Sequence, residues 1–96
     1  MKIPDRKRII TKLNLETKHV WTDKTDNLST LRFGLKYDKN DDYELLIEWD
    51  DNKKYWVLKL FDFTYDSHEP KWALGPLQSA SDVEKELPSF IPDELK

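Results

Sequence analysis

Between Leu31 and Phe63 the chain alternates apolar and polar residues in three consecutive runs, and this period of two calls for an antiparallel sheet. Leu31, Phe33, Leu35 and Tyr37 alternate with Arg32, Gly34 and Lys36, the pattern of a half-buried strand. In the second run Tyr43, Leu45, Ile47 and Trp49 share one face, and Glu44, Leu46, Glu48 and Asp50 the other. The third, Lys54 to Phe63, is apolar on both faces, with Trp56, Leu58 and Leu60 on one and Tyr55, Val57, Phe61 and Phe63 on the other. It is therefore expected to be the most enclosed strand.

The connections set a register. Asp50-Asp51-Asn52-Lys53 is turn chemistry and places Trp49 opposite Lys54, so that Ile47 meets Trp56, Leu45 meets Leu58, Tyr43 meets Leu60, Glu44 meets Lys59 and Leu46 meets Val57. A loop of Asp38 to Asp42 pairs Tyr37 with Tyr43, Leu35 with Leu45, Phe33 with Ile47 and Leu31 with Trp49. Both hairpins then share one apolar inner face. The outer face of the first is charge-matched, Lys36 against Glu44 and Arg32 against Glu48, each pair worth ~0.2–1 kcal/mol. A slip of one residue would exchange the faces.

The flanks supply helices. Ser81 and Glu84 form a capping box, Ala80, Val83 and Leu87 make one stripe, and Pro88 is expected to end the helix after Leu87. Phe90 and Ile91 would then anchor the tail. At the other end Pro4 and Asp5 can start a helix presenting Ile9, Ile10 and Leu13, although Ile9, Leu13 and Leu15 also fit a strand; the helix is the favoured reading. Val20 and Trp21 suggest a short strand before a turn at Asp23 to Asn27, and Trp72-Ala73-Leu74 an edge strand limited by its flanking prolines. The fold class expected is α+β: an antiparallel β-meander of three to five strands with short N- and C-terminal helices packed on it.

With 96 residues the chain has room for one domain spanning 1–96. It has no Cys, so packing must stabilise it without disulfides, and four Trp, four Tyr and four Phe provide the material. Their regular spacing argues against disorder despite a charged fraction of 36%. No apolar stretch approaches the roughly 20 residues that cross a bilayer, and the start lacks an apolar signal region. A cytoplasmic location is expected, which makes the Asn27-Leu28-Ser29 sequon a chance match. Residues 1–12 carry five basic side chains against one acid, and residues 79–96 five acids against two lysines, so the two ends suit contact with each other. Arg6-Lys7-Arg8 reads as a solvated helix face rather than a phosphate-binding arm.

Candidate catalytic constellations fail one by one. Asp38-Lys39-Asn40-Asp41-Asp42 opens like an EF-hand loop, but Tyr43 stands where Gly is needed and Trp49 where a bidentate Glu is needed. Glu44 and Glu48 share a strand face ~13 Å apart, beyond the roughly 6.5–9.5 Å of paired glycosidase carboxylates. Asp66-Ser67-His68-Glu69 holds triad residue types as loop neighbours, which rarely approach opposite nitrogens of one imidazole, so a hydrogen-bonded turn is the expected reading. His19 and His68 are isolated, and neither glycine lies in a phosphate loop. The chain is read as a non-enzyme without metal or cofactor.

The outer strip carries the functional expectation. Leu46, Tyr55, Val57 and Phe61, among Arg32, Lys36 and Lys59, make an apolar and aromatic patch that wants a cover. Either the N-terminal segment or the tail around Phe90 and Ile91 covers it, or it binds a partner. Another protein is the expected partner, which makes the chain a small inhibitor, immunity-type protein or adaptor. Single-stranded nucleic acid is the alternative, with Tyr55 and Phe61 stacking on bases. The acidic balance and the glutamates beside each basic residue weaken it. The same face also suits pairing two copies back to back.

Overall fold

The computed structural model describes residues 5–17, 21–26, 28–37, 41–63, 69–91 and 93, with only the backbone at 36, 37, 41 and 42. His19, Val20, Asn27, Asn40, Ser67 and His68 lie outside the described residues, as does most of the Asp38–Asp42 loop. In chain order the elements are α1 (Arg6–Glu16), β1 (Thr22–Asp23), β2 (Thr30–Tyr37), β3 (Asp41–Asp50), β4 (Tyr55–Asp62), β5 (Trp72–Leu77) and α2 (Ala80–Phe90). The five strands form one antiparallel sheet in sequence order, and the protein is α+β.

The alternation places side chains as expected. Leu31, Phe33, Leu35, Tyr43, Leu45, Ile47, Trp56, Leu58 and Leu60 are all buried on one face. Ile9 and Leu13 of α1, Val83 and Leu87 of α2, and Phe90 and Ile91 join them in a single cluster. Helix is thus the outcome for residues 6–16. Both helices occupy the inner face, so β4 is enclosed there only: its residues alternate between half-buried and buried from Tyr55 to Asp62.

The register differs from the expected one by two residues in both hairpins. Trp49 pairs with Trp56, Ile47 with Leu58, Leu45 with Leu60 and Tyr43 with Asp62. In the first hairpin Tyr37 pairs with Asp41, Leu35 with Tyr43, Phe33 with Leu45 and Arg32 with Leu46. The turn chemistry explains the second hairpin. Asp50 stays in the strand opposite Tyr55, and its Oδ1 accepts from the N–H groups of Asn52 and Lys53, both at 3.0 Å. Its carbonyl accepts from Lys54 N–H at 2.7 Å, with Lys54 left-handed at φ 59°. The loop is therefore Asp51 to Lys54, one residue later than expected. Because strand side chains repeat every two residues, the shift changes partners but not faces.

The helix ends correct two further expectations. The N-cap of α2 is Ser79, whose Oγ accepts from Asp82 N–H at 3.2 Å, while Ser81 is inside the helix and accepts from Arg8 at 3.0 Å. Pro88 does not stop α2, which runs on to Phe90. A proline so near the C-terminus removes one helical hydrogen bond, and Ile91 N–H still reaches Leu87 O at 3.1 Å. The oppositely charged ends do meet: Arg8 is ion-paired with Glu84, and α1 packs on α2. Arg6 reaches Asp23 at 3.8 Å, so two of the three consecutive cations are engaged inside the molecule.

Candidate functional site

The other face of the sheet carries the strip. Reading across the strands, one row holds Gly34, Glu44 and Phe61; the next Arg32, Leu46, Lys59 and Ala73; the next Thr30, Glu48 and Val57; the last Asp50 and Tyr55. Leu46, Tyr55, Val57, Lys59, Phe61 and Arg32 thus come together on one surface, all half-buried. Lys36 lies on the same strand as Arg32, opposite Asp42, with its backbone alone described. Neither α1 nor the Phe90–Ile91 tail covers the strip, since both are buried in the cluster on the inner side. No described element lies over it.

The two-residue register shift rearranges the charges on this face. Arg32 does not face Glu48; its guanidinium reaches diagonally to Glu44, an ion pair of part-buried groups, and to Asp26 at 3.8 Å. The hydrogen bond to Glu44, then the charges of Glu44 and Asp26, push the Arg32 pKa up from its ordinary value. Lys59, opposite Leu46, reaches diagonally to Glu48 at 3.4 Å. Each basic side chain flanking Leu46 is therefore neutralised within the sheet. On this face apolar and charged side chains interleave: Leu46 stands between Glu44 and Glu48 along β3 and between Arg32 and Lys59 across the strands. Lys59 separates Val57 from Phe61, and both basic groups are closed into ion pairs.

Two concavities border it. A shallow groove of ≈ 490 Å³ is lined by Thr30, Glu48, Trp49, Asp50, Tyr55 and Val57. On its far wall Asp51 accepts hydrogen bonds from Lys54 Nζ at 3.1 Å and Trp49 Nε1 at 3.3 Å, which hold its carboxyl below the usual range, Lys54 having the larger effect. A smaller cleft of ≈ 240 Å³ lies at the opposite end, between Lys24, Gly34, Glu44 and Phe63.

Lys24 is the residue that sequence reasoning missed. Within the described part of the expected turn at Asp23 to Asn27 the chain stays hydrogen-bonded to β2: Lys24 N–H donates to Arg32 O at 2.8 Å, and Arg32 N–H donates to Thr25 Oγ1 at 3.1 Å. Thr25 N–H donates to Asp23 Oδ1 at 2.9 Å, and Thr25, followed by Arg6, lowers the Asp23 pKa. The Lys24 stem then lies over the bare backbone of Gly34, where a Cβ would stand 2.5 Å from its Cε. A side chain at this position would displace the end of the Lys24 side chain. The available signal was Gly34 itself, a glycine inside a strand pattern. Phe63, just beyond β4, stacks on Phe61 with ring centroids 5.9 Å apart and remains 43% exposed.

Among the described residues, no three His, Cys, Asp or Glu side chains converge to hold a metal ion, and no helix is long and apolar enough to cross a membrane. The buried carboxylate, Asp62, is on the inner face with Lys71 at 3.7 Å, away from the strip. No protein family, curated protein or solved structure matches this chain.

Proposed function

We propose that the chain is a non-catalytic protein-binding module of the inhibitor, immunity-type or adaptor kind, working through the outer face of its sheet. One observation carries this reading. Both helices pack on the inner face, leaving Leu46, Tyr55, Val57 and Phe61 half-buried on the other, interleaved with the pairs of Arg32 with Glu44 and of Lys59 with Glu48. Apolar and aromatic side chains interleaved with charges already closed into pairs suit contact with another protein surface.

The test is a pair of substitutions. Tyr55→Ala with Phe61→Ala removes two half-buried rings from the strip while leaving the inner cluster intact. The doubly substituted protein is expected to retain a cooperative urea transition and lose the protein that the parent captures from lysate, identified by mass spectrometry. Capture of the same protein by both, or collapse of the fold in the variant, argues against the outer face as the binding surface.

Single-stranded nucleic acid is the second reading, favoured by the stacked Phe61 and Phe63 rings. It is disfavoured by the pairing of Arg32 with Glu44 and of Lys59 with Glu48, which leaves little positive charge for a phosphate backbone.

A further inference from the structure

In a chain where 36% of residues are charged, the longest stretch without a charge runs from Trp72 to Ser81 and opens with β5. The strand is Trp72-Ala73-Leu74-Gly75-Pro76-Leu77, and five of its six residues are exposed. It ends the sheet order, so one of its edges is unpaired among the described residues. Edge strands are usually blunted by charge, proline or a bulge. β5 lacks charge, while Pro76 and a register shift against β4 limit its regular edge to Trp72 to Leu74. The neighbouring cation, Lys71, is exposed and stands 3.7 Å from the Asp62 carboxylate and 5.3 Å from the centroid of the Trp72 ring.

The direction of the free backbone groups follows from the ladder. Leu60 C=O accepts from Lys71 N–H at 2.7 Å, so it points toward β5. Carbonyls alternate along a strand, and Trp72 and Leu74 stand opposite Leu60 and Leu58. Trp72 and Leu74 therefore use their N–H and C=O on β4, and Ala73 directs its own outward. On the helix side Trp72 and Leu74 remain 39% and 37% exposed, with the Trp72 ring 6.4 Å from that of Phe90.

We propose that this edge is a self-association surface, on which a second copy lays its β5 antiparallel to the first about a two-fold axis through Ala73. In that register each Ala73 exchanges both hydrogen bonds with its counterpart, and Trp72 stands against Leu74 of the other copy at a position where side chains approach closely. The regular ladder is confined to Trp72 to Leu74, since Lys71 N–H is already turned to Leu60 and the pairing with β4 shifts between Leu74 and Leu77. A charge near a two-fold axis would meet its own copy, and β5 carries none. Pro76 and the register shift keep the ladder short. The dimer is accordingly weak and concentration-dependent, a ten-stranded sheet with all helices on one side and both outer faces open.

Sedimentation velocity from micromolar to millimolar protein tests the proposal, with Ala73→Lys and Leu74→Lys as exposed-site variants whose folding is verified by urea transition. The mass of the parent should rise toward two chains with concentration, and each lysine should weaken association by about tenfold or more, since like charges or a charge against Trp72 would face across the axis. Exchange of the Ala73 amide should slow as the parent dimerises. A parent that stays monomeric at millimolar concentration overturns the proposal. So does a dimer indifferent to both lysines but lost on Tyr55→Ala with Phe61→Ala, which would join the copies back to back through the outer face instead.

Discussion

Trp49 stands directly opposite Trp56 across the β3–β4 hairpin, with ring centroids 4.3 Å apart and planes tilted by 51°. The pair closes the core under the Asp51–Lys54 loop, and its two members are unequal. Trp56 is buried, whereas Trp49 is half-buried and ties its indole N–H to Asp51.

Trp56→Ala should therefore cost ~3–5 kcal/mol in urea unfolding, and Trp49→Ala clearly less, about 1–2 kcal/mol. Trp56→Phe should be far milder than Trp56→Ala, because the Trp56 N–H makes no hydrogen bond among the described residues and its loss leaves no acceptor stranded. A double-substitution cycle should report ~0.5–1.5 kcal/mol of coupling between the rings. Absence of coupling would favour the register that sets Trp49 against Lys54.

The cap of α2 gives a second prediction. Ser79→Ala should destabilise by ~0.5–2 kcal/mol, since Asp82 N–H loses its acceptor, while Ser81→Ala should stay within about 0.5 kcal/mol because its bond to Arg8 is exposed. The reverse order would return the cap to Ser81.

Helix α1 has no acid in its first turn, no side-chain hydrogen bond at its Asp5 cap, and three cations where the helix dipole disfavours them. Its stability comes from burying Ile9 and Leu13. Lys7→Glu should raise stability by ~0.5–1 kcal/mol in dilute buffer, and the gain should shrink as salt is added.

Asp23 and Asp51 both have carboxyl pKa values lowered in the folded protein, Asp23 chiefly by Thr25 and Asp51 chiefly by Lys54. A depressed folded pKa gives stability that is present above the unfolded value of about 3.9 and lost as pH falls through the folded value. Asp23→Asn with Asp51→Asn should therefore lower the urea midpoint at neutral pH, and the gap from the parent should close progressively below about pH 4. A gap that persists unchanged into strong acid would mean that these carboxylates act through something other than charge.

These contrasts show what could be read from the chain and what could not. Faces were legible because apolar periodicity reports sidedness directly, as Leu45, Ile47, Leu58 and Leu60 all attest. Register was not, since a two-residue shift leaves every face unchanged, and only the Asp50 carboxylate, bonding Asn52 and Lys53, decides where the loop begins. Ser79 and Ser81 are equally good caps in isolation. In the fold Ser79 takes the cap, with Ala80 buried as the first helical residue, and Ser81 turns to Arg8. The outer strip was legible residue by residue, but its charge pairing was not: Arg32 selects Glu44 on the diagonal, and the Lys24 side chain lies over Gly34 beside the hydrogen-bonded Thr25.

The openness of the outer face is the central claim, and hydroxyl-radical footprinting measures it directly, on the free protein and on the complex recovered from lysate. Tyr55 and Phe61 should label readily in the free protein while Trp56 stays protected, and their labelling should fall in the complex. Protection of Tyr55 and Phe61 in the free protein, or labelling unchanged by the partner, would contradict it.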